Sequence, residues 1–522
     1  TVTALLEYFN GSRNDEAYNY QQDKHIRIFG SDRYVDVRGG YNDAGGDTGK
    51  YLSHLSYANF FNPQQLAHVT WALAYSYQNV PELYQELNLA ERMIEEVFWG
   101  ADYLHRILDE QGYFYMTVFD QWNTNNAERV VTAYVGPDGI YSEDYQSAFR
   151  QGAGSAIAAL ARAAIIAKST GKHGEYKGEE YLADAEKAFR HLAKHNAEYC
   201  DDGKENIIDD YTALLAATEL FRATNKGYYL TAARERANNL AMRLSPQGWF
   251  ISNDVNSNNQ RPFYHAAEAG FPVVALGQYI TIESESEKVS QAKQVIAKHL
   301  QYQIALNSKV SNPFNYARQP FKIYKNGELD NQHQEGFFIP HANETNYWWQ
   351  GESARLSSLA MAATIGEKIS DKRSNAFTIF AQNQLDWILG RNPYDLSMLN
   401  GFGIKNAYHS FYMERLRFNL NNQEAPFKAK QFFSLSALAL KEVNVKIIRI
   451  LLVFLKKIVV LNRLIFKKLN FFMNVIIIKL TSVIGFFNKI LPSLLTPISG
   501  LVEFIFFISF LKSFFISAFT FL

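Results

Sequence analysis

An all-α protein of helical hairpins arranged in two rings is what this sequence predicts, and three observations predict it. Ten segments carry apolar residues at helical spacing. One of them, 154–166, is small and apolar almost all round, as a helix enclosed on most sides must be. Another, 178–199, has a clear charged face and suits an outer position. Inner and outer helices alternating along the chain are what a double-ring barrel requires.

In chain order, residues 1–62 read as loop with short extended pieces. The helical segments follow at 64–79, 83–110, 145–170, 178–199, 206–224, 228–244, 264–283, 286–306, 345–366 and 371–390. Pro81 separates the first two, and clusters of Gly, Pro and Asn separate others. Ten helices make five hairpins.

Composition bounds the function. The 522 residues suffice for one large catalytic domain, and Lys plus Arg balance Asp plus Glu at 52 each, so nothing points to nucleic acid. Aromatic residues make up 15% of the chain, which suits a sugar cleft, although most Phe belongs in a core. The single Cys200 excludes an intrachain disulfide framework and a cysteine metal cluster. The twelve histidines show no zinc spacing, and Asp254–Asn258 opens like a calcium loop but lacks its later Gly and Glu. No metal or other cofactor is expected. The first residues, Thr-Val-Thr-Ala, contain no leader, and we read the chain as trimmed at its N-terminus.

The chemistry concentrates in Gly39-Gly-Tyr-Asn-Asp-Ala-Gly-Gly-Asp-Thr-Gly-Lys-Tyr51. Asp43 and Asp47 stand four apart, and Gly45 and Gly46 between them allow backbone turns closed to other residues. Two acids aimed at one water form the general-base arrangement of inverting glycoside hydrolysis. The competing account is an ordinary Asp/Gly surface turn.

The neighbouring motifs weigh against the turn. The segment resembles the Gly-Gly-x-x-Asp-Ala-Gly-Asp-x-x-Lys-Phe signature of glycoside hydrolase family 9, in the version with one more residue between the acids. Phe149-Arg-Gln-Gly-Ala-Gly-Ser-Ala-Ile-Ala-Ala-Leu-Ala161, Glu205-Asn-Ile-Ile-Asp-Asp-Tyr211, Phe338-Ile-Pro-His-Ala-Asn-Glu-Thr-Asn-Tyr-Trp-Trp-Gln-Gly-Glu352 and Trp387-Ile-Leu-Gly-Arg-Asn-Pro393 resemble the same family, in the same order. The resemblance covers residues 1–403 and implies an (α/α)6 barrel that cleaves β-1,4-linked sugars by inversion. Against six hairpins, the five counted here leave the barrel incomplete. The resemblance makes Asp47 the general base and Asp43 the acid that helps hold the water. It implies an oligo- or polysaccharide substrate, cellulose and cellodextrins first, and a secreted or periplasmic location. The longer Asp-Ala-x-Gly-Asp version also brings in exo-β-D-glucosaminidases acting on chitosan oligosaccharides. A third alternative is an inactive carbohydrate-binding or truncated product.

Further candidates come from the other motifs. Trp348 and Trp349, with His341 nearby, open a predicted inner helix and offer rings on which a pyranose stacks. Glu352 would share the Trp348 face and bond a sugar hydroxyl, or else pair with Arg355. Tyr211 and Arg150 open two further inner helices and would reach the barrel mouth. Asp209 and Asp210, in a first turn, serve equally well as helix caps.

The family's general acid is a Glu in a segment like Trp-x-Trp-x-Glu-Gln-Trp, and no such segment exists here. Instead residues 404–522 change character, and from Lys446 to Leu522 there is no Asp, Trp or Tyr and one Glu. Three origins compete. Gly500–Leu522 reaches the roughly 20 residues of a membrane span, scattered lysines suit surface-lying amphipathic helices, and a shifted reading frame in an AT-rich gene yields this composition. We favour the frameshift, because family-like sequence stops in mid-motif. Membrane contact follows only if the tail is genuine.

Overall fold

The computed structural model describes residues 2–43, 47–53, 63–123, 127–136, 138–325, 328–337, 341–343, 346–348, 351–370, 375–399 and 402–406. Nearly all of the tail, including Gly500–Leu522, lies outside the described residues, as do Ala44, Gly45, Gly46 and Trp349.

Thirteen α-helices occur among the described residues: α1 (Val2–Gly11), α2 (Ala17–Gln22), α3 (Leu66–Asn79), α4 (Pro81–Glu86), α5 (Ala90–Arg106), α6 (Ala153–Thr170), α7 (Gly178–Tyr199), α8 (Ile207–Thr224), α9 (Gly227–Met242), α10 (Phe271–Ile280), α11 (Ser286–Ser308), α12 (Glu352–Ile369) and α13 (Ala376–Ile388). Helices α3, α6, α8, α10 and α12 pack each on the next and form the inner arc. Between them the chain passes through α5, α7, α9 and α11, and α13 follows α12, so five hairpins are present among the described residues.

Burial separates the two layers. Fourteen of the 18 residues of α6 are buried, against 6 of 22 in α7. An Ala-rich inner helix allows close approach, and at Gly154 the limit is reached. A Cβ there would lie 2.6 Å from Cβ of Thr212 on α8, so the α6–α8 contact requires glycine.

Several expectations need correcting. Residues 1–62 hold α1 and α2, not loop and extended pieces alone. The expected 83–110 helix is two helices, with Pro81 at the start of α4 and Asn88 in a left-handed turn before α5. The expected 345–366 helix begins at Glu352. Gly351, at φ +100°, caps it in a conformation that no preceding helical turn adopts. The Asn-Tyr-Trp before it instead forms a strand.

Twelve short strands complete the described fold, three of them (26–27, 34–35 and 50–51) among the short extended pieces expected in 1–62 and the rest not expected. β1 (Ile26–Arg27) pairs with β2 (Tyr34–Val35). β3 (Lys50–Tyr51), β4 (Thr117–Phe119), β5 (Val130–Val135) and β6 (Ile140–Ser142) form one antiparallel sheet in that order, with Tyr51 opposite Thr117 and Thr117 opposite Thr132. Further on, β7 (Gln319–Phe321) pairs with β10 (Gln334–Gly336), β8 (Tyr324–Lys325) with β9 (Glu328–Leu329), and β11 (His341–Asn343) with β12 (Asn346–Trp348). The four-stranded sheet matters most, because the acid-bearing loop runs directly into β3.

Candidate active site

The loop is closed by its own backbone: Asp43 N–H donates to Gly49 C=O at 3.0 Å. Its entry is set by Gly39 and Gly40, at φ +81° and +74°. A Cβ on Gly40 would press 2.8 Å from the Tyr103 ring, so this turn needs glycine for both conformation and space.

Asp47 is half-buried. Its Oδ1 accepts from Gly49 N–H at 2.7 Å, and its Oδ2 from the Tyr51 hydroxyl at 2.9 Å. Burial first, then repulsion from Asp43, pushes its pKa up to about 7, against the lowering effect of those two donors. Asp43 is buried and its Oδ1 lies 3.5 Å from Gln65 Nε2. A small pocket of about 30 Å3 adjoins it, lined by Tyr8, Ser12, Tyr41, Asp43, Tyr51 and Gln65.

Tyr51 comes from β3, and its ring packs with Phe119 of β4 and Tyr134 of β5. This aromatic cluster fixes the phenol that meets Asp47. Lys50, its neighbour, is fully buried. Its ammonium is 2.6 Å from Asp23 Oδ2, donates to the carbonyls of Val37 and Gly39, and is pulled down to about 8 by burial despite Asp23.

The helix-borne candidates have other partners. Arg150 is fully buried. Its Nη2 bonds Asp202 Oδ1 at 2.9 Å and Lys204 C=O at 2.8 Å, and its Nε lies 3.6 Å from Asp209 Oδ2. Expected at the barrel mouth, it is fully buried, with Asp209 as its buried countercharge. Asp209 takes the capping alternative and accepts from Asn206 N–H at 2.9 Å and Asn196 Nδ2 at 3.0 Å. Asp210 accepts from Arg243 Nε at 2.6 Å and Arg236 Nη1 at 3.0 Å. Tyr211 is also fully buried, its hydroxyl 2.7 Å from Glu268 Oε2.

Glu352 pairs with Arg355, 2.9 Å from its Nε, and accepts from the Tyr316 hydroxyl. The expected shared helical face with Trp348 does not exist, since Trp348 ends β12 before the helix begins. The backbone sets His341 opposite Trp348 across the β11–β12 hairpin.

Sequence reasoning missed Glu268, just before α10. It is buried, accepts from Gln64 N–H and the Tyr211 hydroxyl, and burial raises its pKa to about 8. Nothing in its local sequence marks it. Tyr51 was within reach: it stands four residues after Asp47, inside the quoted motif.

The sequence model of glycosyl hydrolase family 9 matches residues 2–426. No curated protein matches the sequence significantly. Among solved structures, the chain is similar to the cellulase Cel9M of C. cellulolyticum in complex with cellobiose, with 16% identity, a TM-score of 0.52, and coverage of 84% of this chain and 94% of that one. It is similar to the endoglucanase of the termite Nasutitermes takasagoensis, with 17% identity, a TM-score of 0.50, and coverage of 83% and 87%. It is also similar to a Bacteroides ovatus family 9 protein, with 16% identity, a TM-score of 0.50, and coverage of 78% and 72%. At these identities the likeness establishes the (α/α)6 fold.

Proposed function

The chain belongs to glycosyl hydrolase family 9, and from that premise we propose that its cleft is directed at cellulose-type β-1,4-glucans. Asp47 is the general base of a single-displacement reaction, and Asp43 helps hold the attacking water. The supporting observation is the setting of Asp47: a half-buried acid beside a second acid, contacted by Gly49 N–H and the Tyr51 phenol. A base titrating near 7 takes up and releases a proton readily at neutral pH. Water activated there attacks the anomeric carbon from the face opposite the leaving group, which inverts its configuration.

The similar structures favour glucan, being named as a cellulase with cellobiose and a termite endoglucanase. In this account the protein acts outside the cytoplasm, where polymeric glucan is met.

Inversion also needs an acid, roughly 6.5–9.5 Å from the base, to protonate the leaving oxygen. The Trp-x-Trp-x-Glu-Gln-Trp segment that supplies it in relatives has no counterpart here, and Glu352 is committed to Arg355. Turnover of unactivated oligosaccharides by this chain is therefore expected near background, since protonation contributes about 10²–10⁴ in rate. The test compares this chain with one in which a segment carrying that Glu motif replaces residues 404–522. Cellodextrins and chitosan oligosaccharides are assayed separately. Cellodextrin hydrolysis by the second chain, abolished by Asp47→Asn, is the expected result. Equal turnover by both chains would mean another acid does the protonation, and preference for chitosan would overturn the glucan assignment.

A further inference from the structure

Three charged residues far apart in sequence meet behind the acid loop: Asp23 after α2, Asp120 after β4 and Arg129 before β5. We propose that the Asp23–Arg129–Asp120 bridge is a positioning device for Asp47, clamping the loop at Thr48 and Lys50 and setting the charge that surrounds the base. It rests on Asp47 being the base.

Arg129 grips Asp23 with two nitrogens, Nε to Oδ1 at 2.7 Å and Nη2 to Oδ2 at 3.1 Å. Its third nitrogen, Nη1, is 3.3 Å from Asp120 Oδ2. Each carboxylate then reaches the loop. Asp120 Oδ2 accepts from Thr48 Oγ1 at 2.8 Å, and Asp23 Oδ2 is 2.6 Å from Lys50 Nζ. Thr48 and Lys50 flank Gly49, whose N–H is the 2.7 Å donor to Asp47. One guanidinium therefore holds both sides of the residue that aims the base.

A device that merely stabilised the fold would have no reason to end on those two residues. The planar fork of Arg129 also fixes direction as a lysine would not. Asp23, Lys50, Asp120 and Arg129 are all shielded from solvent, with side-chain exposures of 0–9%. In such a setting the loss of one partner is not replaced by water.

The groups that act on Asp47 are Asp43 on its own loop, Tyr51 on β3, Gly49 N–H, and Asp120 beyond β4. Arg129 is the countercharge to Asp120. Without it, Asp120 repels Asp47 unshielded, and a loosened Gly49 no longer donates. Both effects favour the protonated form, so both raise the pH at which the base ionises.

The test uses the full chain with 13C-labelled aspartate, the Asp47 resonance being identified by its loss in Asp47→Asn. Arg129→Met is expected to move the Asp47 titration upward by about one pH unit. Thr48→Val, which deletes a single hydroxyl bond, should move it upward by less, and Arg129→Lys should restore part of the Arg129→Met shift. Arg234→Met, which breaks the remote Arg234–Glu283 pair, should leave it in place. The low-pH limb of hydrolysis of an activated glycosyl substrate should shift in the same order. An Asp47 titration unmoved in folded Thr48→Val and Arg129→Met proteins would overturn the clamp. If Arg129→Met fails to fold, Thr48→Val decides the question. A low-pH limb that ignores a shifted Asp47 would overturn Asp47 as the base and leave the clamp standing.

Discussion

At the N-terminus of α8, Asp210 meets two guanidinium groups and Asp209 lies against a third. On the 43–49 loop, Asp47 instead meets a backbone N–H and a phenol, with another acid alongside. Both regions are carboxylate-rich and both belong to motifs shared with one family. The difference lies in what neutralises the charge. An acid paired with buried arginine has its charge met by a fixed cation and holds a helix end in place. An acid held by neutral donors keeps its charge costly, and so can take a proton from water.

Substitutions can break this contrast. The largest effect on stability is expected for Asp209→Ala, which leaves fully buried Arg150 without its nearest buried countercharge. Loss of about 3–5 kcal/mol is expected in urea unfolding, as for other broken buried pairs. An unchanged midpoint would move Asp209 into the functional class.

Glu352→Gln should come next. It weakens the pair with buried Arg355 and costs about 1.5–3 kcal/mol, the range for a hydrogen bond to a charged group. A wild-type midpoint combined with lost sugar binding would restore Glu352 to the cleft.

Glu268→Gln and Asp47→Asn should be milder, and here pH sharpens the contrast. Both acids have folded pKa values raised above those of an unfolded chain, near 8 and near 7. Each contributes stability that is fully present below about pH 4 and is lost as pH rises through the folded value. The amide cannot ionise, so each variant should melt near wild type at pH 5 and above it at pH 9. Thermal melts at the two pH values check the sign. Greater loss at pH 9 than at pH 5 would contradict the raised values.

The same contrast explains what was legible in the sequence. Asp43 and Asp47 stood out because glycines on both sides serve no helix or strand. Helix α7 was read with its observed ends because its charged face runs unbroken from Gly178 to Tyr199. The start of α12 was misplaced because Trp348 and Glu352 are spaced like helix neighbours, and only the left-handed Gly351 separates them. Most of the four-stranded sheet, β4, β5 and β6, escaped because these strands run three to six residues, too short for period-two alternation to declare itself. The Asp23–Arg129 contact joins residues 106 apart, and no local pattern encodes such a pair. For Arg150 and Tyr211, a helix start near a barrel mouth does not reveal the partners that the fold supplies, Asp209 for one and Glu268 for the other.

One measurement tests the central claim, that a working base persists here without its acid partner. A β-cellobiosyl fluoride loses fluoride without needing a proton from a carboxylic acid, so its hydrolysis isolates the base. The chain is expected to hydrolyse it and release the α-anomer first, as inversion requires. Asp47→Asn should lower that rate by about 10²–10⁴ while leaving cellodextrin binding in place. Equal rates for the chain and its Asp47→Asn variant would contradict the account.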